Sequence, residues 1–189
     1  PAFANPTKFV GPTYTRREAD RVALDRGWRL EADGEVFRRV VPSPAPVEIL
    51  ELAPIRWILG HGGVVVCAGG GGVPTTRGAN GICTGVEAVV DKDLASAVLA
   101  RDLGADTLVI ATDVDGVYLD WGTPDSRLIR RAHPDQLEPR DFAAGSMGPK
   151  VEAACRFAEQ TGRVAGIGAI EDAEAILAGH TGTVVTSKA

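Results

Sequence analysis

The sequence predicts an α/β fold: a mostly parallel central sheet covered by helices, a three-layer αβα sandwich, with a small protruding subdomain ahead of it. Three observations carry that expectation. Short apolar runs without polar alternation occur at residues 64–67, 86–90, 107–111, 164–167 and 183–186, the pattern of strands buried on both faces. Helical patterns at 94–103, 150–160 and 172–177 fall between them, so β and α alternate along the chain. A hairpin-and-helix appendage comes first and is set off by Pro42, Pro44 and Pro46, a stiff connector.

The appendage can be read residue by residue. Thr15 with Glu18 three positions on forms a capping box, Ala19, Val22 and Ala23 follow at helical spacing, and Gly27 marks the stop of a short surface helix. Residues 35–41 read as a strand joined to a second extended piece by the Asp33-Gly34 turn signal. After the prolines, Ile49, Leu52, Ile55, Trp57 and Ile58 fit a helix that ends before the glycines at 60–63. These signals divide the chain into a protruding subdomain with its connector, residues 1–45, and an α/β domain, residues 46–189.

Composition narrows the function. With 189 residues, 44% of them hydrophobic, the chain can bury a real core without staples. Cys67, Cys83 and Cys155 are odd in number and far apart, and the histidines show no ligand spacing, which excludes a disulfide framework, a zinc site and a redox protein. A reducing, cytoplasmic setting follows. No apolar run reaches the roughly 18 residues of a membrane span, and no basic-then-apolar leader opens the sequence. A net charge of -5 disfavours nucleic acid as a partner, while a small anion can still bind a locally positive pocket. The start at Pro1, without Met, reads as a mid-protein loop, so the expectation is that an N-terminal part is missing.

In open α/β sheets ligands gather where strands end and helices begin, so those loops are where chemistry is expected. Ala68 is followed by Gly69, Gly70, Gly71 and Gly72, whose unobstructed N–H groups suit an anion, although a Walker A ending is absent. Asp91, Lys92 and Asp93 interrupt an apolar run at a helix start. Either aspartate suits a helix cap, but a lysine in the first turn opposes the macrodipole and calls for a nearby anion. Asp113 and Asp115 flank Val114 and precede Gly116, Val117 and Tyr118, which fits an Asx turn or the edge of a nucleotide site. Gly145, Ser146, Met147, Gly148 and Pro149 lead to Lys150 at a helix N-terminus, a place suited to phosphate. Lys8 stands alone on a proline-bracketed arm.

Taken in order, P-T-K-F-V-G-P at 6–12, C-A-G-G-G-G-V-P at 67–74, E-A-V-V-D-K-D-L-A at 87–95, T-D-V-D-G-V-Y-L-D-W-G at 112–122 and D-F-A-A-G-S-M-G-P-K-V-E-A-A at 141–154 resemble the carbamate kinases of the amino acid kinase superfamily. T-D-V-D-G-V is shared across the superfamily; the first and last runs look specific to the carbamate kinases. The resemblance implies reversible transfer between carbamoyl phosphate and ADP to give ATP and carbamate, in arginine fermentation, by a cytoplasmic homodimer that needs Mg2+. It implies that Lys92 and Lys150 neutralise the transferring phosphoryl group, that Asp93 holds both, and that Lys8 reaches over the substrate from a mobile lid. By the same match Gly69, Gly70, Asp113, Asp115, Val117, Tyr118, Met147 and Gly148 bind the nucleotide. Neither the family's opening glycine-asparagine loop nor its serine-histidine-glycine-asparagine-glycine loop is found here. The resemblance thus covers the nucleotide-binding half and the lid. An alternative is a nucleotide-binding fragment without turnover; an acetylglutamate or uridylate kinase relative is disfavoured by the Pro-Thr-Lys arm.

Overall fold

The computed structural model describes residues 2–143 and 145–188. Pro1, Ala144 of the 141–154 motif, and Ala189 lie outside the described residues. The chain divides into two compact units, Pro1–Ala45 with Gly70–Asp91, and Pro46–Gly69 with Lys92–Ala189. Residues 70–91, grouped by the sequence with the second domain, are part of the first unit.

In the first unit β1 (Lys8–Tyr14), α1 (Arg16–Arg26), β2 (Leu30–Asp33) and β3 (Val36–Val41) follow one another. The strands form an antiparallel sheet in the order β1-β3-β2. The Thr15 hydroxyl and the Glu18 carboxylate close the capping box at the start of α1, and Gly27 ends it in the left-handed region. Two guanidiniums lie over the Trp28 ring, Arg39 at 4.3 Å and Arg26 at 4.7 Å from its centroid. A second hairpin pairs β4 (Thr75–Arg77) with β5 (Cys83–Gly85).

The second unit contains α2 (Leu52–Gly60), α3 (Lys92–Leu103), β6 (Thr107–Thr112), β7 (Val117–Leu119), β8 (Arg127–Ile129), β9 (Arg131–Ala132), α4 (Met147–Thr161), β10 (Val164–Ala169), α5 (Ala173–Leu177) and β11 (Thr183–Val185). Its main sheet has the order β6-β10-β11-β9. β6 and β10 are parallel, β11 runs antiparallel to β10, and β9 is parallel to β11, so this small sheet is mixed. Ala165 and Ile167 of β10 are fully buried in the cluster that holds Val151, Phe157 and Ala158 of α4. Gly166 and Gly168, of opposite parity, face Ile176 of α5; a Cβ on Gly168 would stand 2.8 Å from Ile176 Cδ1, which is why β10 carries glycine there. Thr183 is wholly buried yet satisfied, accepting the Val117 N–H at 2.8 Å and donating to the Ile129 carbonyl at 2.6 Å.

Two expected strands are absent. Residues 64–67 form no ladder among the described residues, and Val64 and Val66 are 90% and 98% exposed. Residues 86–90 make only isolated bonds, Val86 N–H to the Pro74 carbonyl and Val89 N–H to the Pro42 carbonyl. An apolar run becomes a strand only where neighbouring strands accept its backbone groups, and these runs meet none among the described residues. The glycines at 69–72 therefore follow irregular chain, with Ala68 itself at positive φ, not a strand of the sheet.

Candidate active site

α3 and α4 are each followed by a short reversal into a strand, at Gly104 (φ +72°) and Gly162 (φ +65°). Each helix thus runs back against the strand that follows it, β6 or β10. Their N-termini lie at the end of the sheet where those two parallel strands finish, the ligand-binding end of an open α/β sheet.

Lys92 is the first residue of α3 and Lys150 the fourth of α4. The Lys150 ammonium donates to Asp93 Oδ2 at 3.0 Å, and the Lys92 ammonium lies 3.3 Å from the same oxygen. The side chains of Asp93 and Lys150 are 10% and 11% exposed, whereas that of Lys92 is 60% exposed. Asp93 therefore sits between two cations, one sealed in and one facing solvent. Both lysines occupy helix starts, where the helix dipole repels a cation, and the shared carboxylate offsets that repulsion. An ammonium has three donors, and the Asp93 bond uses one of those on Lys150, so an incoming anion can be met by the same group. Three of the residues chosen from sequence are thus brought to one point by two helices.

Around the end of β6, Asp113 is exposed and accepts a bond from the Thr112 hydroxyl at 3.1 Å. Asp115 is also exposed and accepts the Tyr118 hydroxyl at 2.8 Å. That bond holds the Tyr118 phenol above its ordinary value, because ionisation would face a carboxylate and lose the hydrogen bond. Trp121 meets Tyr118 edge-on at 5.1 Å. Val117 is different: its side chain is 0% exposed and belongs to the core. Met147 is half-buried against the same core, and Gly148 is buried with its N–H on the Ala143 carbonyl. A Cβ there would stand 3.0 Å from the Pro139 carbonyl oxygen, so Gly148 allows the 139–143 segment to cross over α4.

In the first unit the Lys8 ammonium donates to Asp91 Oδ2 at 2.6 Å, across 83 positions of sequence. Asp91 was not singled out from sequence beyond a helix cap. Gly69 and Gly70 are exposed with open space where a Cβ would stand, whereas Gly71 (φ +93°) is buried, and a Cβ on it would run into the Val90 carbonyl. One signal in the sequence marks the lysines, though not their partners. The chain has four lysines against sixteen arginines, and Lys8, Lys92 and Lys150 all pair with an aspartate at 91 or 93. Lysine is kept for places that need a compact, rotatable point charge, not a fixed fork.

Among the described residues no group of three or more His, Cys, Asp or Glu is arranged to hold a metal ion, and no helix is long and apolar enough to cross a membrane. Residues 6–167 match the model of the amino acid kinase family. The chain belongs to that family. It is 50% identical over 188 residues to a carbamate kinase of Haemophilus influenzae, covering 100% of this chain and 61% of that protein. A carbamate kinase of Rhizobium meliloti is 53% identical over 189 residues, covering 99% of this chain and 58% of its own length. Among solved structures, a carbamate kinase of Giardia lamblia bound to citric acid superposes with a TM-score of 0.86 at 40% identity, over 98% of this chain and 60% of that one. A protein of Aeropyrum pernix gives a TM-score of 0.90 at 48% identity, over 100% of this chain and 62% of the other. The chain thus spans about three fifths of the length of these relatives.

Proposed function

We propose that this chain provides the nucleotide-binding and lid portion of a carbamate kinase, and that its lysines act on the phosphoryl group passed between carbamoyl phosphate and ADP. The observation that carries this reading is the Asp93 carboxylate with both Lys92 and Lys150 on it, at the starts of two helices. In the ATP-forming direction a terminal oxygen of ADP forms a bond to phosphorus while the bond from phosphorus to the carbamoyl oxygen breaks, and carbamate leaves with that electron pair. Such a transfer asks mainly for alignment and for cations facing the charge that spreads over the equatorial oxygens. Lys92 and Lys150 have that role, and Asp93 fixes them before substrate arrives. No general base is required, since the attacking oxygen already carries negative charge.

Mg2+ would be held mainly by the phosphates of the nucleotide, where it would offset their charge, as suits a cation that keeps several waters and few protein ligands. Asp113, Asp115, Tyr118 and the start of α4 at Met147 and Gly148 border the nucleotide in this reading, Val117 supports that border from the core, and Gly69 and Gly70 face its phosphates. Lys8 engages the carbamoyl phosphate end from the lid. The three-layer αβα arrangement and a cytoplasmic homodimer belong to the same proposal.

A second reading, nucleotide binding without turnover, is favoured by the length alone, three fifths of the relatives. One assay separates them: ATP formation from ADP, Mg2+ and carbamoyl phosphate, followed by luciferase, alongside calorimetric titration with ADP. Turnover by the 189-residue chain supports the kinase; ADP binding with no ATP formed supports the second reading; neither overturns both.

A further inference from the structure

The pair Lys8–Asp91 is built more firmly than a surface ion pair needs. Lys8 is the first residue of β1, opposite Val41 of β3. The next residue, Pro42, accepts the Val89 N–H at 3.0 Å. The two partners are therefore anchored at adjacent positions of one strand end, Lys8 by the ladder and residues 89–91 by that bond. Gly71 closes against the Val90 carbonyl from another side. The Asp91 side chain is 9% exposed and the Lys8 side chain 31%, so the carboxylate is largely withdrawn from water while the ammonium keeps an open side. An ion pair withdrawn this far from water on its acidic side adds little net stability over an apolar pair of the same size, so this construction points to a purpose other than stability. An arginine would make a stiffer static bridge, and the chain uses sixteen arginines elsewhere.

We infer that Asp91 is a positioning residue: it holds the Lys8 ammonium in one place on the lid, ready to take up an anionic oxygen of the substrate. This rests on the kinase reading above, in which Lys8 meets carbamoyl phosphate. Asp91 and Asp93 then divide the work, one holding the lid lysine and the other the pair at the helix starts, with Lys92 between them in sequence.

The test uses the chain's own lysines. Brief acetylation with acetic anhydride, read lysine by lysine by peptide mass spectrometry, is compared with and without phosphonoacetamide, a non-transferable analogue of carbamoyl phosphate. Lys188, exposed, is the internal reference, and Lys150, buried, reports that each variant is folded. In the parent the analogue is expected to slow acetylation of Lys8, Lys92 and Lys150 several-fold relative to Lys188. In Asp91→Asn, Lys8 is expected to react several-fold faster without the analogue and to lose its protection, while Lys92 and Lys150 keep theirs. Should that variant expose Lys150, Asp91→Ser is the replacement. Protection of Lys8 that is unchanged in the neutral variant overturns the role of Asp91 and leaves the kinase reading standing. Protection of Lys92 and Lys150 without Lys8 in the parent does the same. Protection of no lysine in the parent removes the substrate reading and the inference with it, making the pair a structural tie.

Discussion

Burial separates three cysteines that composition alone treats alike. Cys155, on α4, is buried, and the loss of solvation, with Glu159 and Glu152 nearby, pushes its thiol up from 9.0 to about 11. The folded state therefore keeps the proton in a window, pH 9 to 11, where the unfolded chain releases it. Stability is fully present below pH 9 and declines as pH rises through the folded value. Urea midpoints measured across that range should fall more steeply for the parent than for Cys155→Ala; parallel slopes would remove the assignment. The lysines also belong at this scale. The residue type and place at helix starts of Lys92 and Lys150 were legible, because a cation against the dipole is an anomaly that sequence displays. The partner of Lys8 was not, since 83 positions separate it from Asp91 and no local pattern encodes that approach.

Elements were legible where local chemistry closes them and illegible where distant strands must. The capping box at Thr15 and the left-handed Gly27 bound α1 as expected, since both signals act within a turn. The glycine loop shows the opposite case. Its sequence suggested phosphate contact throughout, whereas Gly71 is also a packing residue pressed on Val90, next to Asp91. Gly71→Ala has to relieve both a positive φ and a collision with backbone, at a cost of about 2 kcal/mol. It should lower the urea midpoint and speed acetylation of Lys8. A midpoint equal to the parent's would mean that the loop is not clamped there. Residues 64–67 and 86–90 have strand composition, but a β-strand is defined by its neighbours, and an apolar run carries no record of whether they are present.

At the scale of the whole molecule, the alternation of β and α established the mixed α/β class. It did not establish the sheet, in which β11 runs antiparallel to β10 and only part of the predicted set of strands takes part. Nor did it foresee that residues 70–91 leave the second unit for the first. What composition did convey was that a chain of net charge -5 can still hold a locally positive site for a small anion. The proposed function rests on the lysines at Asp93. The measurement that tests it most directly is the initial rate of ATP formation from ADP, Mg2+ and carbamoyl phosphate, for the parent against Lys150→Ala, Lys92→Ala and Asp93→Asn. Each variant is expected to lose roughly 100-fold or more in kcat, because in the proposed function each removes or releases charge that faces the phosphoryl group in flight. Variants that turn over within about threefold of the parent, a difference under 1 kcal/mol in the barrier, would contradict the account.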